Sequence, residues 1–209
     1  MPIRVPPGRA GRPWLLHRLE VARRGADVLD EKRHALLREQ RRTGALLDAA
    51  REEWEQTARA AAVWLERATV VAGARRFRLV AFYGRGEAKI ELLWRNSLGV
   101  THPTGATVSL PERVEPASVS GSSAFHFATE AHRSAVEAAA RFAILELSFE
   151  RVSRELEVTV RRLRAIDTRW IPGHEAALAA LEIRLDETER EEVARVRWVL
   201  DRPSERRDP

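Results

Sequence analysis

The sequence predicts a mainly α protein: a long antiparallel two-helix coiled-coil hairpin with a small β-containing head in the middle of the chain. Apolar residues recur at alternating steps of three and four toward both ends of the 209-residue chain. This spacing puts one narrow apolar stripe along one side of a helix. The middle of the chain lacks it. Because such a stripe must be buried and the nearest partner is the other end of the chain, we expect the two helices to pack together.

The first helix is predicted over 14–73, after an N-terminal tail of residues 1–13. Pro13 suits the start of a helix, and Gly73 suits the position after its last turn. The predicted stripe consists of Leu15, Leu19, Ala22, Ala26, Leu29, Leu36, Leu47, Ala50, Trp54, Ala61, Trp64, Ala68 and Val71. Three polar residues interrupt it: Arg33, Gln40 and Thr43. Polar residues at core positions fix the register of a coiled coil at a cost in stability.

The head is predicted over 74–121, where aromatic and branched residues are typical of strands. We expect strands over about 75–83, 88–94 and 106–110, with Gly84 and Gly86 in the turn between the first two. The later part of this segment is predicted to be largely loop, because it is punctuated by Pro103, Gly105, Pro111 and Pro116. A segment of this size is too small to be a robust independent domain.

The returning helix is predicted over 122–201, with a C-terminal tail of residues 202–209. Its stripe consists of Ala128, Ala131, Ala135, Ala138, Phe142, Leu145, Phe149, Val152 and Leu156. The spacing then slips by about one residue to Val160 and Leu163, which indicates a local change in winding. Pro172 lacks the N–H that an interior helix position needs, so we expect it to kink this helix.

The charge balance limits the function classes. The net charge is +5 and the sequence pI is about 10.7, but 31 acidic residues are interspersed with the 36 basic ones. This pattern favours a solvated helix face with many ion pairs over a nucleic-acid surface. No apolar run approaches the roughly 20 residues of a membrane span. The absence of cysteine excludes disulfides and thiol catalysis and is compatible with the cytosol.

No motif for catalysis, for a cofactor or for a metal is found. Gly84 and Gly86 lack the rest of a phosphate-binding fingerprint. His174 and Glu175 resemble the start of a zinc-protease motif, but Leu178 occupies the position of the second ligand. We therefore expect no enzyme site, no cofactor and no metal. The arginine clusters on the two helices indicate either an exposed, solvated basic face or electrostatic contact with an acidic partner surface. These clusters are Arg23, Arg24, Arg38, Arg41 and Arg42 on the first helix and Arg161, Arg162 and Arg164 on the second.

Two stretches of the sequence resemble the D subunit of V-type and archaeal-type rotary ATPases. In the first stretch, a leucine run, an Ala-x-x-Gly and a Lys-Arg-x-x-Leu match the family pattern at Leu15, Leu19, Ala22, Gly25, Leu29, Lys32, Arg33 and Leu36. The second stretch matches it at the Arg-Arg of 161–162, at the Ile-Pro of 171–172 and at the Leu-x-Glu-x-Glu-Arg-Glu of 185–191. The two stretches cover about a third of the chain.

The resemblance implies a non-catalytic central rotor shaft. In the family, the two helices form an antiparallel coiled coil that enters a catalytic hexamer of A and B subunits. The F subunit, a small companion of the rotor, lies beside the middle segment, and the shaft docks on a socket subunit on the membrane ring. The shaft transmits torque between ion flow and ATP turnover in a proton- or sodium-translocating complex. The resemblance also implies a peripheral position on the cytoplasmic side of the cell membrane, without insertion into it.

The resemblance implies five cationic contacts with the catalytic hexamer: Lys32, Arg33, Arg161, Arg162 and Arg164. Asp30 and Glu31 stand where the family has a lysine-rich run, so the basic contacts of that turn are not carried over.

Two other interpretations of the same sequence remain open. A structural or adaptor coiled-coil protein would associate with itself along its helices. A basic helical hairpin that binds nucleic acid would lose affinity steeply as salt rises.

Overall fold

The computed structural model describes residues 3–73, 75, 87–97, 99–111 and 123–201. Helix α1 is Gly11–Ala72, preceded by a 3₁₀ turn at Gly8–Ala10. Strands β1 and β2 are Lys89–Ser97 and Val100–Ser109. Helix α2 is Ser123–Ala165, a π-helical segment covers Ile166–Trp170, and helix α3 is Ile171–Leu200. Two long helical stretches with one antiparallel strand pair between them confirm the predicted fold class.

The chain forms two compact units, and each contains part of α1 and part of the returning helical stretch. The terminal unit is Met1–Arg33 with Val158–Pro209, and the central unit is His34–Glu157.

In the terminal unit, α1 packs antiparallel to the returning helix. Arg12 Nε donates to Glu182 Oε1 at 3.0 Å, and Arg23 Nη2 donates to Glu175 Oε1 at 2.7 Å, so residue numbers rise along one helix as they fall along the other. Small or medium-sized side chains fill the space between the helices. The buried residues of this seam are Leu15, Leu19, Ala26, Thr159, His174 and Leu181.

The N-terminal residues of the terminal unit pack on α3. Gly8 has a φ of 70°, in the left-handed region that favours glycine. Gly11 is buried, and a Cβ added there would lie 2.6 Å from the Pro6 carbonyl oxygen and 2.9 Å from side-chain atoms of Val5 and Leu181. The segment before the helix therefore lies directly against the helix start.

In the central unit, the seam between α1 and α2 is also antiparallel. Its buried residues are Leu36, Thr43, Leu47, Ala50, Ala61 and Ala68 of α1 and Ala128, Ala138, Ala140, Ile144, Ser148, Val152 and Leu156 of α2. The α1 residues were predicted except Thr43, which was expected only as a polar interruption. At the end of α1, Gly73 has a φ of 79° and donates its N–H to the Thr69 carbonyl at 2.9 Å, as expected for a C-terminal glycine.

The aromatic residues of the predicted stripes lie at the edges of this seam. Trp54 stacks on Phe142 with ring centroids 5.3 Å apart, and Phe149 borders Gly44. Phe142 and Phe149 are half-buried, while Ile144 and Ser148 are fully buried. Closely spaced helices leave room for small and branched side chains at their centre, so the large rings pack along the flank. Val71, predicted in the stripe, is exposed.

The two strands pair in an antiparallel ladder in which Arg95 faces His102 and Leu93 faces Gly105. The register shifts between Leu93 and Trp94, because Trp94 faces Pro103 and leaves Thr104 as the extra residue of a bulge. Pro103 and Gly105 therefore lie inside β2 rather than in the expected loop. Proline has no N–H for a ladder, and a bulge is where a strand tolerates it. The strand predicted over 75–83 lies almost entirely outside the described residues.

The hydrogen-bond pattern of the returning helix changes just before Pro172, the residue at which the sequence predicted a kink. Ile171 donates its N–H to the Ile166 carbonyl, five residues back instead of four. Pro172 then occupies the first turn of α3, where its missing N–H is tolerated. The expected slip at Val160 differs in detail, because Thr159 is buried and Val160 is only half-buried.

Candidate functional site

The three predicted arginines of the returning helix form an exposed cationic surface. Arg161, Arg162 and Arg164 are all exposed. At about 100° per residue, Arg161 lies opposite the buried line through Leu156 and Thr159, with the other two arginines on either side of it. Within the described part of the chain, none of these three guanidinium groups forms a hydrogen bond or an ion pair. They are therefore available to a partner.

The two predicted cations of α1 have a different environment. Arg33 and Lys32 are both half-buried. The Arg33 guanidinium binds Asp30 Oδ1 at 2.8 Å, within the same helix. Asp30 is one of the two adjacent acidic residues, Asp30 and Glu31, in this turn of α1. The structure thus places all five predicted cations in the terminal unit, but Arg33 is already paired with a carboxylate.

Other arginines that the sequence suggested as basic clusters are also neutralised locally. Arg23 pairs with Glu175 across the helices, and Arg24 pairs with Glu20 one turn earlier. The pair of Arg23 with Glu175 could not be predicted from the sequence, because a cross-helix partner depends on the packing register, whereas the four-residue spacing of Glu20 and Arg24 could have indicated the second pair. Arg169, which the sequence analysis did not select, is also exposed and lies five residues after Arg164.

A bidentate ion pair lies on α1 in the central unit. Arg42 donates from Nη2 to Glu39 Oε1 at 2.7 Å and from Nε to Glu39 Oε2 at 3.1 Å. The hydrogen bonds from Arg42 lower the pKa of the Glu39 carboxylate, although partial burial opposes this effect. The same bonds raise the pKa of Arg42. The pair is therefore a fixed feature of this helix rather than a free cation.

Sequence reasoning missed a buried polar cluster between β2 and the helices. His102 and Ser148 are both buried, and His102 Nδ1 lies 2.9 Å from Ser148 Oγ. One turn away, Gln40 Nε2 donates to Ser153 Oγ at 2.8 Å. Ser148 occupies a regular buried position of α2, which is the signal that could have identified it. His102 gave no such signal, because its partner lies on another element.

An apolar groove lies at the other end of the central unit. It has a volume of about 410 Å³ and is lined by Leu65, Leu110, Phe125, His132, Val136 and neighbouring residues. None of the described residues that line the groove is an aspartate or a glutamate. Over the described ranges, no three His, Asp or Glu side chains are arranged to hold a metal ion. None of the helices described is long and apolar enough to cross a membrane.

Comparisons with known proteins agree on one family. The family model for the D subunit of ATP synthase matches residues 15–201. The chain is 32% identical over 206 residues to the A-type ATP synthase D subunit of Pyrococcus horikoshii, covering 94% of each chain. It is 30% identical over 203 residues to that of Thermococcus kodakarensis, again with 94% of each chain covered.

A bacterial relative gives the same result. The V-type ATP synthase D subunit of Anaeromyxobacter sp. is 30% identical over 200 residues, covering 93% of this chain and 92% of the relative. The match extends through α1, both strands and the returning helix, so it is not limited to the two stretches recognised in the sequence. This chain belongs to the family of ATP synthase D subunits.

Proposed function

We propose that the chain is the non-catalytic central-stalk subunit of a rotary ATPase, transmitting torque between an ion-translocating membrane ring and a catalytic hexamer. The observation that carries this proposal is the 62-residue helix Gly11–Ala72, paired antiparallel with the returning helix in each unit of a member of the D-subunit family. A torsion-transmitting element must resist twisting. Paired helices with a buried seam in each unit are suited to that task.

The proposed partners are a catalytic hexamer of A and B subunits, the F subunit as a small rotor companion and a socket subunit on the membrane ring. The proposed location is the cytoplasmic side of the cell membrane, as a peripheral subunit without direct membrane insertion or nucleic-acid binding. We retain the division into a tail at 1–13, helices at 14–73 and 122–201, a head at 74–121 and a tail at 202–209 as a proposal for how the parts serve the complex.

Reconstitution tests the proposal. The purified chain is mixed with the A, B and F subunits of the same source, and the product is weighed by native mass spectrometry. One copy per hexamer together with a changed ATPase rate supports the rotor role. A self-associated particle that ignores the hexamer supports an adaptor coiled coil instead, and binding to nucleic acid that weakens steeply with salt supports the third interpretation.

The proposed contact residues are Arg161, Arg162 and Arg164 on α2 and Lys32 and Arg33 on α1. The first three are exposed and unpaired within the described residues, so an acidic partner surface would gain charge pairing without breaking an existing pair. Charge complementarity of this kind chiefly raises the association rate and weakens with salt.

We expect the triple variant with Arg161, Arg162 and Arg164 changed to Gln to associate with the hexamer about tenfold more slowly at low salt, with a smaller difference at high salt. Stopped-flow mixing with labelled hexamer measures the rate. The matched control has the same loss of three charges at Arg24, Arg59 and Arg195, each of which already pairs with a glutamate one turn earlier. Equal slowing in both triple variants would mean that net charge alone matters, and the specific surface would be rejected.

A further inference from the structure

Strand β2 is tied to helix α2 near both of its ends. Arg151 Nη1 donates to the Thr101 carbonyl at 3.0 Å, and Arg133 Nη1 donates to the Pro111 carbonyl at 2.8 Å. The two arginines are separated by about 27 Å of helix, and the two carbonyls by about 33 Å of extended chain. Because these lengths are similar and the order is reversed, β2 lies antiparallel along α2. The hairpin turn is thus at the level of Arg151, far from the start of α2 at Ser123.

The tie near the hairpin turn contains a buried side-chain contact. His102 is 2% exposed and Ser148 is 3% exposed, and their Nδ1 and Oγ atoms share a hydrogen bond of 2.9 Å. Ser148 and Arg151 are three residues apart and therefore face the same side of α2. The Arg151 guanidinium also lies 4.9 Å from the centre of the Trp94 ring on β1. One turn of α2 thus contacts both strands of the hairpin.

The second ring nitrogen of His102 indicates why a histidine occupies this position. Nε2 is buried, and no described residue of the protein offers it a hydrogen bond. A buried polar atom without a hydrogen bond costs free energy, and such atoms are rare in proteins. An apolar residue would fill the same space without that cost. Burial alone does not explain the histidine. The directed bond to Ser148 does, because only a polar side chain fixes the position of the strand along and around the helix.

We propose that His102 is the positioning residue that holds the β1–β2 hairpin along α2 through Ser148, so that the hairpin and the helices of the central unit move as one body. The functional part of this inference rests on the proposed rotor function, because a hairpin that slides along a turning shaft transmits no torque. The structural part of the inference is independent of that function.

Hydrogen exchange on the full chain tests the structural part. His102→Asn keeps a nitrogen at the δ position and can still bond Ser148, whereas His102→Leu keeps bulk and removes the bond. We expect amides of Lys89–Ser97 and Val100–Ser109 to exchange about three- to tenfold faster in His102→Leu than in His102→Asn, in line with the typical worth of one hydrogen bond. Equal protection in the two variants, or better protection with leucine, would overturn the proposal.

Serine variants on α2 supply the partner test and the control. Ser148→Ala removes the bonding oxygen with little change in volume, and alanine favours helix, so the chain is expected to fold. It should speed exchange in the hairpin and show no further effect when combined with His102→Leu. Ser153→Ala removes a similar oxygen that bonds Gln40 on α1, and it should leave hairpin exchange unchanged. Faster hairpin exchange in Ser153→Ala, or fully additive effects of His102→Leu and Ser148→Ala, would contradict a specific contact.

The assembled complex tests the functional part. Ser148→Ala bound one per hexamer, with a lowered ATPase rate relative to Ser153→Ala, supports movement as one body. An unchanged rate in a complex whose hairpin exchanges faster overturns that part. Failure of the unaltered chain to bind the hexamer would reject the rotor function instead, and the exchange measurements on the free chain would still decide whether His102 anchors the hairpin.

Discussion

The terminal and central units use different means to hold the same pair of helices. In the terminal unit the cross-helix contacts are exposed ion pairs such as Arg12 with Glu182, around a seam of small and medium-sized side chains. The central unit has one such exposed pair, Arg141 with Glu53, and adds aromatic stacks such as Trp54 on Phe142 and polar contacts such as Gln40 with Ser153. Exposed ion pairs contribute little stability and tolerate sliding, whereas directed bonds and stacked rings specify one register. The comparison indicates that register is specified mainly in the central unit.

The largest expected effect tests whether the apolar seam dominates in both units. Leu15 in the terminal unit and Leu36 in the central unit are 0% and 1% exposed. We expect Leu15→Ala and Leu36→Ala each to reduce the free energy of unfolding by about 2–5 kcal/mol, because each leaves a cavity. Chemical denaturation measures the loss, and hydrogen exchange shows which unit opens first.

Leu16→Ala is the matched control, since Leu16 is 45% exposed and adjacent to Leu15. It should cost far less than Leu15→Ala. Similar losses for the two leucines would contradict the burial of the seam in the terminal unit.

An intermediate effect tests how tightly the N-terminal segment is packed in the terminal unit. In Gly11→Ala the new methyl group would overlap the Pro6 carbonyl and Leu181, so we expect a loss of about 1–3 kcal/mol from overpacking. Gly25→Ala is the control on the same helix. Its added methyl group meets nothing within 4 Å, so we expect a gain of about 0.5–1 kcal/mol from helix propensity. Thermal denaturation measures both variants, and the changes in stability should have opposite signs. A gain in stability in both variants would show that the N-terminal segment moves aside freely.

The smallest expected effect concerns the ion pair on α1 in the central unit. The hydrogen bonds from Arg42 lower the pKa of Glu39, so the pair stabilises the folded chain above the ordinary pKa of about 4.5, and this contribution is lost as pH falls through the lowered value. Because Arg42 is exposed to screening by water, the contribution is under about 1 kcal/mol.

Denaturation of the unaltered chain and of Glu39→Gln at pH 7 and pH 3 measures this contribution. The two should differ more at pH 7 than at pH 3. An equal difference at both pH values would show that the carboxylate charge is not involved.

The sequence predicted most of the residues of the seam, but not which of them lie at its centre and which at its flank. Leu15 and Leu36 were identified because a three-four spacing directly encodes one face of a helix. The half-buried positions of Phe142 and Phe149 were not predicted, because they depend on how closely the helices approach. Pro103 was misplaced in a loop, because a bulge is visible only when both strands are paired.

Of the candidate site, the exposure of Arg161, Arg162 and Arg164 agrees with the pattern of the helix, since they follow a buried stripe on the opposite face. The pairing of Arg33 with Asp30 is local and could have been read from their three-residue spacing. The contact between His102 and Ser148 could not. It joins residues 46 positions apart on a strand and a helix, and no periodicity within either element reports it.

The π-helical segment before Pro172 also keeps the seam of the terminal unit in step. From Thr159 to His174 there are fifteen residues, and from His174 to Leu181 there are seven; all three are buried. A π turn accommodates about one residue more than an α turn. With that residue discounted, the first interval becomes about two heptads and the second remains one, which is the repeat that keeps a stripe facing its partner. The π-helical segment therefore accommodates one residue more than two heptads contain. In an uninterrupted α-helix, Leu181 would be rotated away from α1.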